Sequence, residues 1–108
     1  METFNIKTIL ASMERKPLNK KFFCTTDHLK VQVMKLMTGT SIPPCKMDND
    51  VLFYFLIGEG TITVDNETHD VGQGECVIVP HQAESRSIHA KTDLEILAVQ
   101  GITEQHQT

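Results

Sequence analysis

Several things are scarce or missing in this chain of 108 residues, and each scarcity removes a class of function. Lys and Arg number 10 against 14 Asp and Glu, a net charge of −4. The basic stripe that nucleic acid demands is therefore missing, and nucleic acid is not an expected partner. The densest basic group, Arg15, Lys16, Lys20 and Lys21, reads as a solvated face. The longest apolar run, Val51 to Ile57, is far too short to span a bilayer. The start, METFNIKTIL, has an early Glu and no long apolar stretch, which argues against a secretory signal. The three cysteines, Cys24, Cys45 and Cys76, form no C-x-x-C pair and cannot all pair with one another. Reduced thiols and a cytoplasmic location are the expectation. No phosphate-binding G-x-x-x-x-G-K-[ST] loop is present, and the acidic residues fall mainly in turns rather than as a catalytic carboxylate pair.

What is present reads as one domain, 1–108, with an ordinary apolar fraction of 40%. In residues 4–16, Ile6, Ile9, Leu10 and Met13 make one helical stripe. Asn5 or Thr3 can cap this helix, and Pro17 stops it. Too narrow for a membrane-surface helix, the stripe must lie on other parts of the chain. From residue 21 the period changes to two. Strands are expected over 21–26, 29–37 and 51–57, then as a hairpin around Asp65-Asn66-Glu67, then over 75–80, 85–91 and 94–99. Pro43-Pro44 predicts an extended, irregular segment. A polar tail follows from Gly101. About eight short strands punctuated by Gly, Pro, Asn and Asp are the pattern of a β-sandwich or small barrel, occupying about 21–100. The strand 51–57 is apolar on both faces, so both must be covered: one by the core, the other by the helix or a second copy of the chain. A homodimer is the expectation.

The order of glycines and prolines carries a further signal. Five residues separate Gly39 from Cys45, one separates Cys45 from Met47, three separate Met47 from Val51, and six separate Val51 from Gly58. Five separate Gly74 from Pro80, four separate Pro80 from Ser85, and three separate Ser85 from His89. This spacing resembles the two motifs of the cupin family, G-(x5)-H-x-H-(x3 or 4)-E-(x6)-G and G-(x5)-P-x-G-(x2)-H-(x3)-N, over about residues 29–99. The resemblance implies an all-β, double-stranded β-helix (a jelly-roll barrel) with a short N-terminal helix.

The metal that the family holds with three His and a Glu is not implied. The matching places are Cys45, Met47, Val51 and Ser85, with Gln82 for a glycine and His89 for the asparagine. Asp50, one residue before the Glu position, points to the opposite face of a strand. No catalytic residue, metal or cofactor is expected. If Val51 and Ser85 keep the family's inward direction, Phe53, Phe55, Ser87 and His89 join them, and Cys45 and Met47 complete a mostly apolar lining. That lining, Cys45, Met47, Val51, Phe53, Phe55, Ser85, Ser87 and His89, suits a small organic ligand. Cys45 and Met47 also serve as gap-fillers, and Cys76 reads as core. Two metal alternatives stay open: a soft Cu(I) site from Cys45, Met47 and His89, and a cupin-type isomerase or dioxygenase whose displaced metal uses Cys45, His81 or His89. A barrel packed shut, acting as an interaction module, is a third reading.

Overall fold

The computed structural model describes residues 1–102, in which one short helix precedes nine strands. The helix α1, Ile6–Ser12, is shorter than its apolar stripe. Asn5 caps it by accepting from the Thr8 amide at 3.0 Å. Met13 already leaves the helix, in an extended conformation. Of the stripe only Leu10 is fully buried, so packing supports about two turns and no more.

The strands are β1 (Leu18–Thr25), β2 (Leu29–Leu36), β3 (Ser41–Cys45), β4 (Val51–Ile57), β5 (Glu59–Val64), β6 (Glu67–Gly72), β7 (Cys76–Val79), β8 (Arg86–Ala90) and β9 (Leu94–Gly101). They form two antiparallel sheets, in the orders β1-β2-β9-β4-β7 and β3-β8-β5-β6. Between them lies a core built from Met34, Leu36, Ile42, Val51, Phe53, Phe55, Ile62, Val71, Val79, Ile88, Leu94 and Ile96. This is the expected jelly-roll.

Three expectations need correction. The segment with Pro43 and Pro44 is strand β3 and not irregular; it lies at the edge of its sheet, where a missing amide donor costs no ladder bond. Its pairing with β8 slips between Ile42 and Cys45, across the prolines. Strand β7 has the opposite parity from the one expected. Cys76 and Ile78 face out, Ile78 with 66% of its surface exposed, and Val79 faces the core. Gly101 belongs to β9, its amide donating to the Asp50 carbonyl at 3.1 Å. Residues 103–108 of the polar tail, with His106, lie outside the described residues.

The outer face of the five-stranded sheet carries two apolar rows across β7, β4, β9 and β2. Ile78, Leu52, Val99 and Val31 stand opposite one another from strand to strand, and Cys76, Tyr54, Leu97 and Val33 make a second row. Helix α1 lies against β2, where Leu10 and Val33 are buried apart from the barrel core. The Lys35 ammonium donates to the Leu10 carbonyl there at 3.3 Å. Towards β4 and β7 the rows emerge, with Tyr54 and Ile78 exposed.

Two glycines close the end of the barrel. At Gly60 a Cβ would collide with the His89 carbonyl oxygen. At Gly58 it would collide with the Asp93 carbonyl, and φ there is +96°, a left-handed conformation that favours glycine.

Candidate functional site

The inside of the barrel is set by strand parity. On β4, Val51, Phe53 and Phe55 point inward and are 3%, 1% and 0% exposed. On β8 the inward residues are Arg86, Ile88 and Ala90, all buried. Ser87 and His89 are on the outer face of that strand. His89 is exposed, its Nδ1 2.6 Å from the Ser41 Oγ. Ser85, half-buried, precedes the strand. The inward direction expected for Ser87 and His89 is therefore corrected by one residue.

The reason is a clamp at the β5–β6 turn. Asp65 has φ +53° in a two-residue hairpin loop, closed by pairing of Val64 with Glu67. Its carboxylate accepts from the amides of Glu84 and Ser85 at 2.9 and 3.0 Å, and its amide donates to the Ser85 carbonyl at 2.9 Å. With the Ser85 backbone held in the loop, the first residue paired in β8 is Arg86, opposite Val64 on one side and Cys45 on the other. Cys45 pairs with Arg86 just past the register slip in β3, and it is exposed. Met47 is half-buried and packs against the core.

Arg86 is the site's main surprise. It is the one charged residue in the buried set of described residues, at 9% exposure. Its guanidinium carbon lies 5.0 Å from the centroid of the Phe53 ring. Its Nε has no hydrogen-bond partner, and among the described residues no carboxylate pairs with it. Burial pushes its pKa below the ordinary value, while the nearby Cys45 sulfur acts in the opposite direction. Sequence reasoning missed it because counting from Pro80 favoured Ser85. The signal was nevertheless there: in SRSIHAK, Arg86, Ile88 and Ala90 alternate as regularly as Ser85, Ser87 and His89.

The other histidines do not converge on this end. His81 follows Pro80 and is exposed; its amide and Nδ1 lie 2.8 and 3.0 Å from an Asp50 carboxylate oxygen. Those hydrogen bonds hold the Asp50 carboxyl below its ordinary pKa. Asp50 faces outward, as its parity predicts, and the pair lines a surface groove of about 310 Å³ with His28, Asp48 and Asn49. Cys45, Met47 and His89 are not brought together. Among the described residues no group of three or more His, Cys, Asp or Glu side chains is placed to hold a metal ion.

Comparison with known families identifies the barrel. The family described as the cupin domain matches residues 32–100. The chain belongs to the cupin family. Among solved structures it is similar to a conserved protein of unknown function from Streptococcus pyogenes, at 21% identity and TM-score 0.80, covering 96% of this chain and 90% of that one. It is similar also to a cupin superfamily protein from Desulfitobacterium hafniense, at 19% identity and TM-score 0.79, over 95% of this chain and 94% of the other. A variant of salicylate 1,2-dioxygenase from Pseudoaminobacter salicylatoxidans shares the fold at 16% identity and TM-score 0.74, over 78% of this chain but only 26% of the larger enzyme. Identities this low establish the fold alone. Comparison with curated proteins finds no significant match.

Cupin motifs imply a metal, and the residues here do not fit one. The motif places hold Cys45, Met47, Val51 and Ser85, and the inward residue next to Ser85 is Arg86. Val51 has no donor atom. A guanidinium keeps its proton and offers no lone pair, and its positive charge opposes a divalent ion at the same end of the barrel.

Proposed function

We propose that this cupin is a non-catalytic barrel that binds a small organic molecule at its open end, without the metal of its relatives. One observation supports this above the others: a buried guanidinium, Arg86, is the first inward residue of β8, directly after Ser85, which the motif spacing sets in the place of a metal-binding imidazole. The surroundings suit an organic ligand. Phe53 supplies an aromatic face, while Met47, Val64 and Val77 are half-buried against the core and can be re-packed. The thiols of Cys24, Cys45 and Cys76 are free, which suits a reducing cytoplasm. The outer face of the five-stranded sheet, with Ile78 and Tyr54 exposed and Leu52 half-buried between them, suits a homodimer.

The test is metal analysis of the native protein, purified from cells supplied with Fe, Mn, Ni, Zn and Cu, combined with native mass spectrometry for retained organic molecules. Sub-stoichiometric metal and a discrete organic adduct are expected. A stoichiometric transition-metal ion would overturn the reading in favour of an isomerase- or dioxygenase-type metalloenzyme with a displaced site.

A further inference from the structure

We propose that Arg86 anchors the carboxylate of a small organic monoanion whose apolar body lies among Phe53, Met47, Val64 and Val77. This rests on the reading of the barrel as a small-molecule site and names its ligand class. The argument begins with charge. An ion taken out of water needs a partner, and a buried cation without one is a standing cost to the fold. The Phe53 ring faces the guanidinium at 5.0 Å and compensates it on one side. One in-plane donor is not served: Nε is buried and bonds to no other group of the described chain.

A guanidinium edge with a free Nε–H is the group that a carboxylate meets with two parallel hydrogen bonds. No carboxylate of the described chain supplies them. The other cation at this end, Lys46, is already engaged, its ammonium 3.7 Å from the Glu84 carboxylate and 3.5 Å from the Ala83 carbonyl. One free positive charge among apolar walls matches a monoanion with a hydrocarbon body better than it matches a phosphate dianion. The way in is short, because Cys45, paired with Arg86 across the strands, is exposed. Met47, unbranched and half-buried, is the side chain that can yield.

The cysteine also provides the competing account, in which the Cys45 thiolate is itself the counter-ion. The experiment therefore uses four proteins: the parent, Arg86→Leu, Arg86→Lys and Cys45→Ser. Each is titrated with benzoate, butyrate, the uncharged benzamide, and inorganic phosphate, and followed by thermal shift and by the ¹⁵Nε resonance of Arg86. Benzoate or butyrate is expected to raise the parent Tm by about 5 °C at tenfold excess over Kd and to shift the Nε signal. The rise should vanish in Arg86→Leu, weaken in Arg86→Lys and persist in Cys45→Ser. Arg86→Leu should fold, since it removes a buried charge, and its unliganded Tm verifies that.

A carboxylate response that survives in Arg86→Leu overturns the proposal, as does a phosphate response equal to that of benzoate. A response gained only on removing the Cys45 sulfur assigns the counter-ion to the thiolate and overturns it too. Benzamide binding equally to parent and Arg86→Leu, with no preference for benzoate, overturns the anion assignment while leaving the small-molecule barrel standing. Binding of none of the probes to the parent overturns the anion assignment, and the native mass spectrum then decides the barrel reading separately.

Discussion

The contact between Arg86 and Phe53 can be measured as a coupling energy, and its size follows from the geometry. A guanidinium within about 6 Å of a ring centroid gains about 0.5–1 kcal/mol at an exposed site and about 2 kcal/mol when desolvated. Here the separation is 5.0 Å. The ring is 1% exposed and the arginine 9%, so the desolvated figure applies. Phe53→Leu keeps a branched hydrocarbon in place and costs about 1.5 kcal/mol in shape, plus about 2 kcal/mol in lost attraction to the cation. Arg86→Leu loses the same attraction but also relieves the cost of an unpaired buried charge, which offsets that loss. It should therefore be no less stable than the parent. In the double variant the attraction is lost once and not twice, so it should be more stable than additivity requires by about 1–2 kcal/mol. Urea unfolding of the four proteins reads this directly, and each kcal/mol corresponds to about 4–8 °C in Tm. Two results refute the reasoning. Additivity within about 0.5 kcal/mol would show that the ring and the guanidinium do not interact. A loss of about 3–5 kcal/mol in Arg86→Leu alone would show that the arginine already has a partner inside the folded chain.

Three further outcomes follow from the barrel's construction. Gly60→Ala should cost about 3 kcal/mol, because its Cβ meets the His89 carbonyl of a paired strand that cannot retreat; a chemical melt within 0.5 kcal/mol of the parent, on the order of surface substitutions, would contradict this. Acid unfolding should depend on Asp93. Its carboxylate accepts from the Thr38 amide and hydroxyl at 2.8 and 2.9 Å, which hold its pKa below the ordinary carboxylate range. A depressed folded pKa adds stability that is present above the unfolded value, about 3.9, and is lost as pH falls through the lower folded one. Circular dichroism between neutral pH and pH 2 should thus show a shallower loss for Asp93→Asn, whereas parallel curves would dismiss the contribution. Ile78→Asp, on the emergent outer row, should convert a dimer to a monomer in sedimentation at micromolar concentration; a parent that sediments as a monomer would remove the dimer outright.

Much of the architecture was written in residue patterns that depend on short-range physics. The change of period after Pro17, the hairpin around Asp65 and Asn66, and the glycines at 39, 58 and 74 each mark a turn whose backbone needs are local. All three glycines have positive φ. The inward run Val51, Phe53 and Phe55 was legible for the same reason, since parity within one strand needs no knowledge of its neighbours. What failed were the places where parity is set from outside the strand. Whether Ser85 or Arg86 begins the inward series depends on Asp65, some twenty residues earlier, which fastens the loop backbone. The same holds for Cys76: with Val51 paired to Val79 and Tyr54 to Cys76, the face of β7 follows from its neighbour β4. A cysteine beside hydrophobic residues gives no such information by itself. Pro43 and Pro44 looked like breakers because their tolerance depends on β3 being an edge strand.

A barrel interior with a buried arginine and no motif histidine differs in its chemistry in a definite direction. In the metal-binding cupins the positive charge inside the barrel arrives with an ion, held by neutral imidazoles and one carboxylate. Here the chain itself supplies a positive charge at that end through Arg86, and the acidic ligand is gone, Val51 standing in its place. A guanidinium can orient an anion through parallel hydrogen bonds and charge. It has no vacant coordination position with which to polarise a carbonyl or lower the pKa of a bound water, which are the services a metal gives to catalysis. Under the proposed anion-binding reading, then, the barrel attracts negatively charged ligands and lacks a metal with which to activate them. Under that reading the combination suits a receptor or carrier, and a single side chain, Arg86, would account for both carboxylate binding and lack of turnover.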